Sequence, residues 1–369
     1  MSALNNRFSW TIRTERQHVS PDITQVYLEL TSFCNLACTT CARHSIAGFK
    51  PRHLSPSLFG KVIAALGELP RLERVVLLGF GEALCHPRAH ELLSALRDAA
   101  PSVVLVSNAL LLDERARELI VALPIDEVYL SWDDDINAAA GAIRRGHRAT
   151  SFRSALEGLV ETKKRRGGDR PLIGLQIVAT RSTVGHVREI AAYAIGAGAE
   201  RIILSNLFPY AAAMSEEILY VPDGKPKNDL ALAMRGLRAP KGIVIASQRA
   251  DAPRRCPFVE RGTAFISSSG AVSPCPELAY THSAYYFGAS RTHRAFTLGT
   301  IGRGRLRDIW RSERFVRFRE SFGYFEFPDC TACVDPERCW HRTATACDCY
   351  GNPVPCGECL WAKGIVVCP

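Results

Sequence analysis

The stretch TSFCNLACTTCARH, residues 31–44, sets Cys34, Cys38 and Cys41 in a C-x3-C-x2-C spacing. Thiolate sulfur is the ligand of choice for zinc and for iron–sulfur clusters. Zinc knuckles favour paired C-x2-C units rather than such a triplet. A [4Fe–4S] cube normally takes four cysteines. Three would leave one iron open to a small molecule, and reaction would be expected at that vacancy. A zinc site completed by a distant residue is the competing reading.

A second stretch, GFGEALCHP at 79–87, pairs two glycines with a carboxylate. Gly79 and Gly81 permit close approach of a ligand to the backbone, and Glu82 supplies an acceptor. Cys85 reads as a small buried residue, and His86 as a residue that positions its loop. Asn108 (with Ser107), Ser131 and Asp133 close two further apolar runs. They either bind a ligand or cap helices and turns.

Ten of the fourteen cysteines lie between Cys256 and Cys368. Cys256 and Cys275 flank Gly270. Cys330, Cys333 and Cys339 follow in a C-x2-C-x5-C spacing, then Cys347, Cys349, Cys356, Cys359 and Cys368. The C-x2-C units at 330 and 356 are also compatible with zinc. Either way, metal is expected to help fold a segment so poor in apolar bulk.

The elements that must position these groups alternate regularly. Strands are expected at 25–30, 74–80, 103–108, 127–132, 172–180 and 201–207. Helices are expected at 55–66 (capped by Ser55 or Ser57), 90–99, 113–123, 151–165 and 184–198. Near-continuous apolar strands separated by helices indicate a parallel sheet covered on both faces. The expected fold is α/β, a partial (β/α)6 TIM-like barrel, with chemistry on the loops after the strands. The cysteine triplet occupies the loop after the first strand. Residues 213–250 read as a connection holding a Pro/Gly/Lys-rich run, a helix and a short strand. A turn and an amphipathic helix are expected within 297–320.

Composition bounds the rest. The chain has 369 residues, 47% apolar and 22% charged, as for a globular protein. The N-terminus lacks an apolar core of signal-peptide length, and no apolar run is long enough to span a membrane. A cytoplasmic location without membrane attachment is the default expectation. Clustered cysteines in a reducing compartment point to metal rather than disulfides. The formal charge of +9 does not argue for nucleic acid: the densest basic run, KKRRGGDR at 163–170, has no interleaved aromatics.

CNLACTTC after a first strand resembles the signature loop of the radical S-adenosylmethionine (SAM) enzymes, and GFGE resembles that family's Gly-Gly-Glu-Pro loop. Thr40 stands where many members have an aromatic residue, and Ala83 where the proline is usual. The resemblance implies that Cys34, Cys38 and Cys41 hold a [4Fe–4S] cluster. SAM would chelate its open iron, and the reduced cluster would cleave SAM to methionine and a 5′-deoxyadenosyl radical. Gly79, Gly81 and Glu82 would hold the SAM amino group, and polar groups such as Asn108, Ser131 and Asp133 its ribose and carboxylate. LSNLFP (204–209) would touch adenine. The tail resembles the SPASM-type extension, which implies two auxiliary [4Fe–4S] clusters, although Thr343 replaces one expected cysteine. The implied domains are an N-terminal segment (1–22), a radical SAM core (23–212), a connection (213–250) and a SPASM-like iron–sulfur domain (251–369).

The end of the chain, CGECLWAKGIVVCP, resembles that of SPASM-type proteins thought to mature tungsten-pterin oxidoreductases. The expected function is therefore a radical SAM maturase acting on a peptide, protein or protein-bound cofactor. Its implied electron donor is a ferredoxin or flavodoxin. The alternatives are a peptide maturase (RiPP or sulfatase-type) forming cross-links or formylglycine, and a non-catalytic iron–sulfur scaffold. Only about 24 residues precede the first strand, which leaves little room for an internal peptide-recognition domain.

Overall fold

The computed structural model describes residues 18–137, 141–220, 228–249, 254–286, 289–330, 333, 339–343 and 347–369. Six strands alternate with five helices: β1 (Gln25–Leu28), α1 (Pro56–Gly67), β2 (Arg74–Leu77), α2 (Ala89–Ala99), β3 (Val103–Ser107), α3 (Glu114–Ala122), β4 (Glu127–Ser131), α4 (Ala149–Arg165), β5 (Leu172–Ala179), α5 (Val187–Ala197) and β6 (Arg201–Asn206). All six pair in parallel and in chain order, as βαβ units require. Their apolar runs lie in the core: Val26, Leu28, Val75, Leu77, Val104, Leu105, Val128 and Leu130 are fully buried. The strands end one to three residues earlier than the apolar runs do, because the last residues of each run already turn into the loops above the sheet.

Local chemistry sets the helix ends. The Ser55 hydroxyl accepts from the Leu58 amide and caps α1, and Asp113 caps α3 through the Ala116 amide. Gly198, at φ 111°, ends α5 in a left-handed turn. Gly174 sits opposite Tyr129 across β4 and β5. A β-carbon there would fall 2.4 Å from the tyrosine ring, so the gap in the strand is filled by its neighbour.

The sheet extends beyond the six strands. After a short helix, α6 (Asp229–Ala233), β7 (Ile243–Ile245) adds in parallel beside β6. After α7 (Pro257–Glu260), β8 (Thr263–Ile266) pairs in parallel with β1, and β9 (Ala271–Ser273) follows antiparallel. The connection and the tail thus each contribute to the barrel sheet. The Pro/Gly/Lys-rich run at 221–227 lies outside the described residues. A separate hairpin, β10 (His282–Tyr286) and β11 (Ala289–His293), stands apart from the sheet, and β12 (Gly299–Thr300) closes its edge beside β9. The amphipathic helix expected in 297–320 is two helices, α8 (Leu306–Arg311) and α9 (Glu313–Glu320). They divide at Ser312, whose hydroxyl caps the second. A last short helix, α10 (Trp340–Thr343), belongs to the cysteine-rich end.

The basic run after α4 is matched by carboxylates. Lys163 pairs with Glu200 at 2.6 Å, Arg165 and Arg166 with Glu118, and Arg170 with Asp126. No described helix is long and apolar enough to cross a membrane.

Candidate functional site at the barrel mouth

The loops leaving β1 to β4 converge on one cavity of about 270 Å³. Cys34, Cys38 and Cys41 line it, together with Gly79, Gly81, Glu82, Asn108 and Ser131. The three cysteines are free thiols. Burial raises the pKa of Cys34 and pushes that of Cys38 up to about 11. Such thiols are stabilised as thiolates by bound metal. Two cations stand close by. The Arg43 guanidinium donates from Nε to Cys41 Sγ at 3.4 Å, and Arg144 acts electrostatically on Cys38. Buried thiols facing one cavity, flanked by positive charge, suit an anionic thiolate-bound cluster.

The GFGE loop packs directly against the cysteine loop. A β-carbon on Gly81 would lie 2.2 Å from the Thr31 carbonyl oxygen, and one on Gly79 would lie 2.4 Å from Glu29 Cγ. Both glycines line the cavity, and the close approach they permit here is to the chain itself. The Glu82 amide then donates to the Phe33 carbonyl at 2.8 Å, tying the two loops together.

Glu82 is almost wholly buried. Its carboxylate accepts from the Asn108 amide at 2.7 Å, the Ser107 hydroxyl at 3.0 Å and the Leu84 amide at 3.3 Å. Burial raises its pKa, and these neutral donors, with Arg144 at longer range, counter that rise. A buried carboxylate held by neutral donors is suited to a cationic ligand group. Asn108 also reaches the cysteine loop, donating to Asn35 Oδ1 at 2.8 Å.

Asp133 is buried and ion-paired to Arg144 at 2.7 Å; it also accepts from the Val178 amide. It therefore holds Arg144, rather than standing free for a ligand. Asp134 accepts from the Ile143 and Arg144 amides at 2.6 and 2.8 Å, and fixes the loop that carries Arg144. That loop in turn bonds the cysteine loop, through Thr39 to Ile143 and Ala37 to Arg145. Sequence reasoning missed Arg144. It lies outside any motif, in the polar run RRGHR, and only the fold brings it to the cavity. Cys85 is half-buried. His86 bonds the Leu54 carbonyl and the Arg88 amide and so positions its loop.

The LSNLFP segment turns away from the cavity. Phe208 stacks on Tyr210 at 4.4 Å and packs with Tyr220, Leu360 and Ile365 toward the tail.

The tail cysteines fall into two sets. Cys256, Cys275, Cys356 and Cys359 act on one another electrostatically, and burial pushes Cys256 and Cys359 up to about 12. Cys330, Cys339, Cys347 and Cys349 line a second cavity of about 320 Å³ with Arg291, His293 and Glu358. Cys333 acts on Cys349 from the same side. Cys368 joins neither set: its Sγ lies 3.6 Å from the Tyr27 hydroxyl, beneath β1. Its expected place among the metal ligands is not supported, because the chain end is tied down there by the Tyr27 hydroxyl donating to the Pro369 carbonyl at 2.7 Å.

A parallel barrel with three cysteines in its first loop, followed by a cysteine-rich extension, defines a two-part iron–sulfur protein. Residues 28–194 match the Radical SAM superfamily and residues 256–334 match the iron–sulfur cluster-binding domain called SPASM. The chain carries a Radical SAM domain and a SPASM domain; it is an enzyme, with iron–sulfur clusters and SAM as its cofactors.

Among curated proteins, the chain is 29% identical over 351 residues to the tungsten-containing aldehyde ferredoxin oxidoreductase cofactor-modifying protein of Pyrococcus furiosus, covering 93% of this chain and 96% of that one. It is 26% identical over 253 residues to the PqqA peptide cyclase of Gluconobacter oxydans, covering 67% and 68%. In fold it resembles Streptococcus suis SuiB bound to precursor peptide SuiA (TM-score 0.62, 15% identity, 87% of this chain and 72% of that one). It also resembles anSMEcpe with bound AdoMet (TM-score 0.57, 16% identity, 92% and 91%).

Proposed function

We propose that the barrel-mouth cavity binds a [4Fe–4S] cluster through Cys34, Cys38 and Cys41 and binds SAM beside it, and that the chain matures a tungsten-pterin oxidoreductase or its cofactor. The observation that carries the site is the join of the two loops: the three thiols and the buried Glu82 carboxylate face the same cavity. When bound, the cluster and SAM would supply the 5′-deoxyadenosyl radical that abstracts a hydrogen from the substrate. Glu82 would accept the SAM ammonium in place of the counter-charge it lacks. Arg144, held by Asp133, would face the carboxylate of SAM or the thiolates. Asn108 would fix the cysteine loop against Glu82, and Ser131 lines the cavity wall as a further polar contact.

The spacing of the thiols favours clusters over zinc. A single zinc with bonds of about 2.3 Å would gather its sulfurs to within roughly 4 Å of one another. Among the described residues, no three cysteine sulfurs lie within 4.8 Å of one another. On this reading one auxiliary cluster takes Cys256, Cys275, Cys356 and Cys359. A second takes its ligands from Cys330, Cys333, Cys339, Cys347 and Cys349. An electron donor such as ferredoxin or flavodoxin would reduce them.

The substrate part of the reading rests on the cofactor-modifying relative, which spans nearly the whole chain. The peptide-maturase reading rests on the PqqA peptide cyclase, which spans two thirds of it.

The test is SAM cleavage. Anaerobically reconstituted protein with dithionite and SAM is expected to release 5′-deoxyadenosine, and the Cys34/Cys38/Cys41→Ala variant to release none. Equal product from both would overturn the site. A correctly loaded cluster whose spectrum SAM leaves unchanged would move the scaffold reading to the front.

A further inference from the structure

Between the barrel mouth and the tail, three buried side chains converge at a spacing unlike that of the cysteines. Glu277 lies in the short turn Pro276–Leu278, directly after Cys275. His282 opens β10 and His293 closes β11, and the two face each other across the open end of that hairpin. His282 Nε2 lies 2.8 Å and His293 Nδ1 2.9 Å from the same oxygen, Glu277 Oε1. All three residues are buried. Ligand atoms at right angles on a cation, with bonds of about 2.1 Å, stand about 3 Å apart. The trio is already closed to single-ion spacing, whereas the cysteines are not.

The outer nitrogens of both rings point the same way chemically. His282 Nδ1 lies 2.9 Å from the Tyr280 carbonyl oxygen, which only accepts, so Nδ1 carries the proton. His293 Nε2 lies 3.7 Å from Glu358 Oε1, and the Arg291 guanidinium holds that carboxylate at 2.7 Å. Each imidazole therefore presents its inner nitrogen to Glu277. Each inner nitrogen faces the same carboxylate oxygen at hydrogen-bond distance, so a cation bound there would take the place of the bridging protons. An outer nitrogen held by a backbone carbonyl, as on His282, is a usual support of a metal-bound histidine. Phe208 and Tyr210 cover the rings, at 6.2 Å from His293 and 5.5 Å from His282.

We propose that Glu277, His282 and His293 form a mononuclear site for a divalent first-row cation, zinc or iron(II), separate from every cysteine cluster. Two histidines and one carboxylate leave coordination positions for water or an oxygen donor. Tyr210, whose hydroxyl lies 3.3 Å from Glu277 Oε2, stands at its edge.

The test uses zinc as the probe on the full-length, iron-loaded protein, kept anaerobic. After a chelator wash, one equivalent of zinc is added and the zinc K-edge is recorded. The expected result is one retained zinc per chain with only nitrogen and oxygen neighbours at about 2.0–2.1 Å. Glu277→Gln and His282→Gln are each expected to weaken retention at least tenfold while the iron content stays at the wild-type level. No retained zinc in the wild-type protein would overturn the site. So would sulfur neighbours at about 2.3 Å, which would place the zinc among the cysteines. Should either variant fail to load iron, the wild-type edge alone decides. SAM cleavage is a separate readout, so loss of one reading leaves the other standing.

Discussion

At the barrel mouth, the cysteine loop is fixed by backbone bonds to the neighbouring loops above the strands. Ser32 donates to the Arg52 carbonyl, Thr39 to Ile143, and Glu82 to Phe33, each at 2.8–2.9 Å. In the tail, the described turns that carry Cys330, Cys347, Cys349, Cys356 and Cys359 bond largely to one another. Cys330 meets the Gly357 carbonyl at 3.4 Å, and Asp348 spends its carboxylate on the amides of Tyr350 and Asn352 and the side chain of Asn352. One region has its thiols on a loop tied to the other loops above the sheet, the other on turns tied largely to one another. The first is expected to keep its shape when metal is lost, and the second to depend on it.

Removing iron gives the largest test of that contrast. Chelation is expected to abolish amide-exchange protection at residues 347–359 and to leave β1 to β6 and β8 protected, read by hydrogen exchange on the full-length protein. Equal loss in both regions would mean that the barrel also leans on its cluster. Smaller, and local, is the effect of one tail ligand. Cys356→Ala is expected to remove one cluster, about four irons per chain, with the others retained. Loss of all tail iron would show that the two sets fold as one unit.

A backbone substitution probes the mouth. Gly81→Ala would drive a β-carbon into the Thr31 carbonyl oxygen, so the cysteine loop must shift. The expected cost is about 1–3 kcal/mol, seen as SAM binding weakened roughly tenfold or more, with the tail iron unaffected. Unchanged affinity would mean that the join between the loops does not position SAM.

The same contrast explains what was legible in the sequence. β1 to β6 announce themselves because a parallel strand is buried on both faces and reads as a run of Val, Ile and Leu. The cysteine triplet and GFGE were legible because a loop after a strand has few other reasons for such residues. The short strand expected within 213–250 is β7, but its place beside β6 was not legible, and β8 was not expected, since short strands such as IVI gain their meaning only from the barrel edge they join. Arg144, Asp134 and the Glu277–His282–His293 trio are meetings of segments distant in sequence or folded back on themselves, and no local pattern marks them. The division of the tail cysteines failed for the same reason: Cys256 meets Cys359 across a hundred residues that carry no periodic signal.

Cys368 gives the smallest and most discriminating measurement. By spacing it belongs with the other tail cysteines; by position it lies under the barrel, against Tyr27. It is half-buried, with its sulfur against the Tyr27 hydroxyl: burial raises its pKa, and the groups acting on it are Tyr27, Trp361, Arg261 and Arg74, with no cysteine among them. Cys368→Ala is therefore expected to cost about 1 kcal/mol of stability and no iron, measured as total iron per chain beside the melting temperature. The reverse result, iron lost with stability otherwise intact, would draw the chain end into a cluster. The division between a loop-held mouth and a metal-held tail would then have to be redrawn through β1 itself, because Tyr27 lies on that strand.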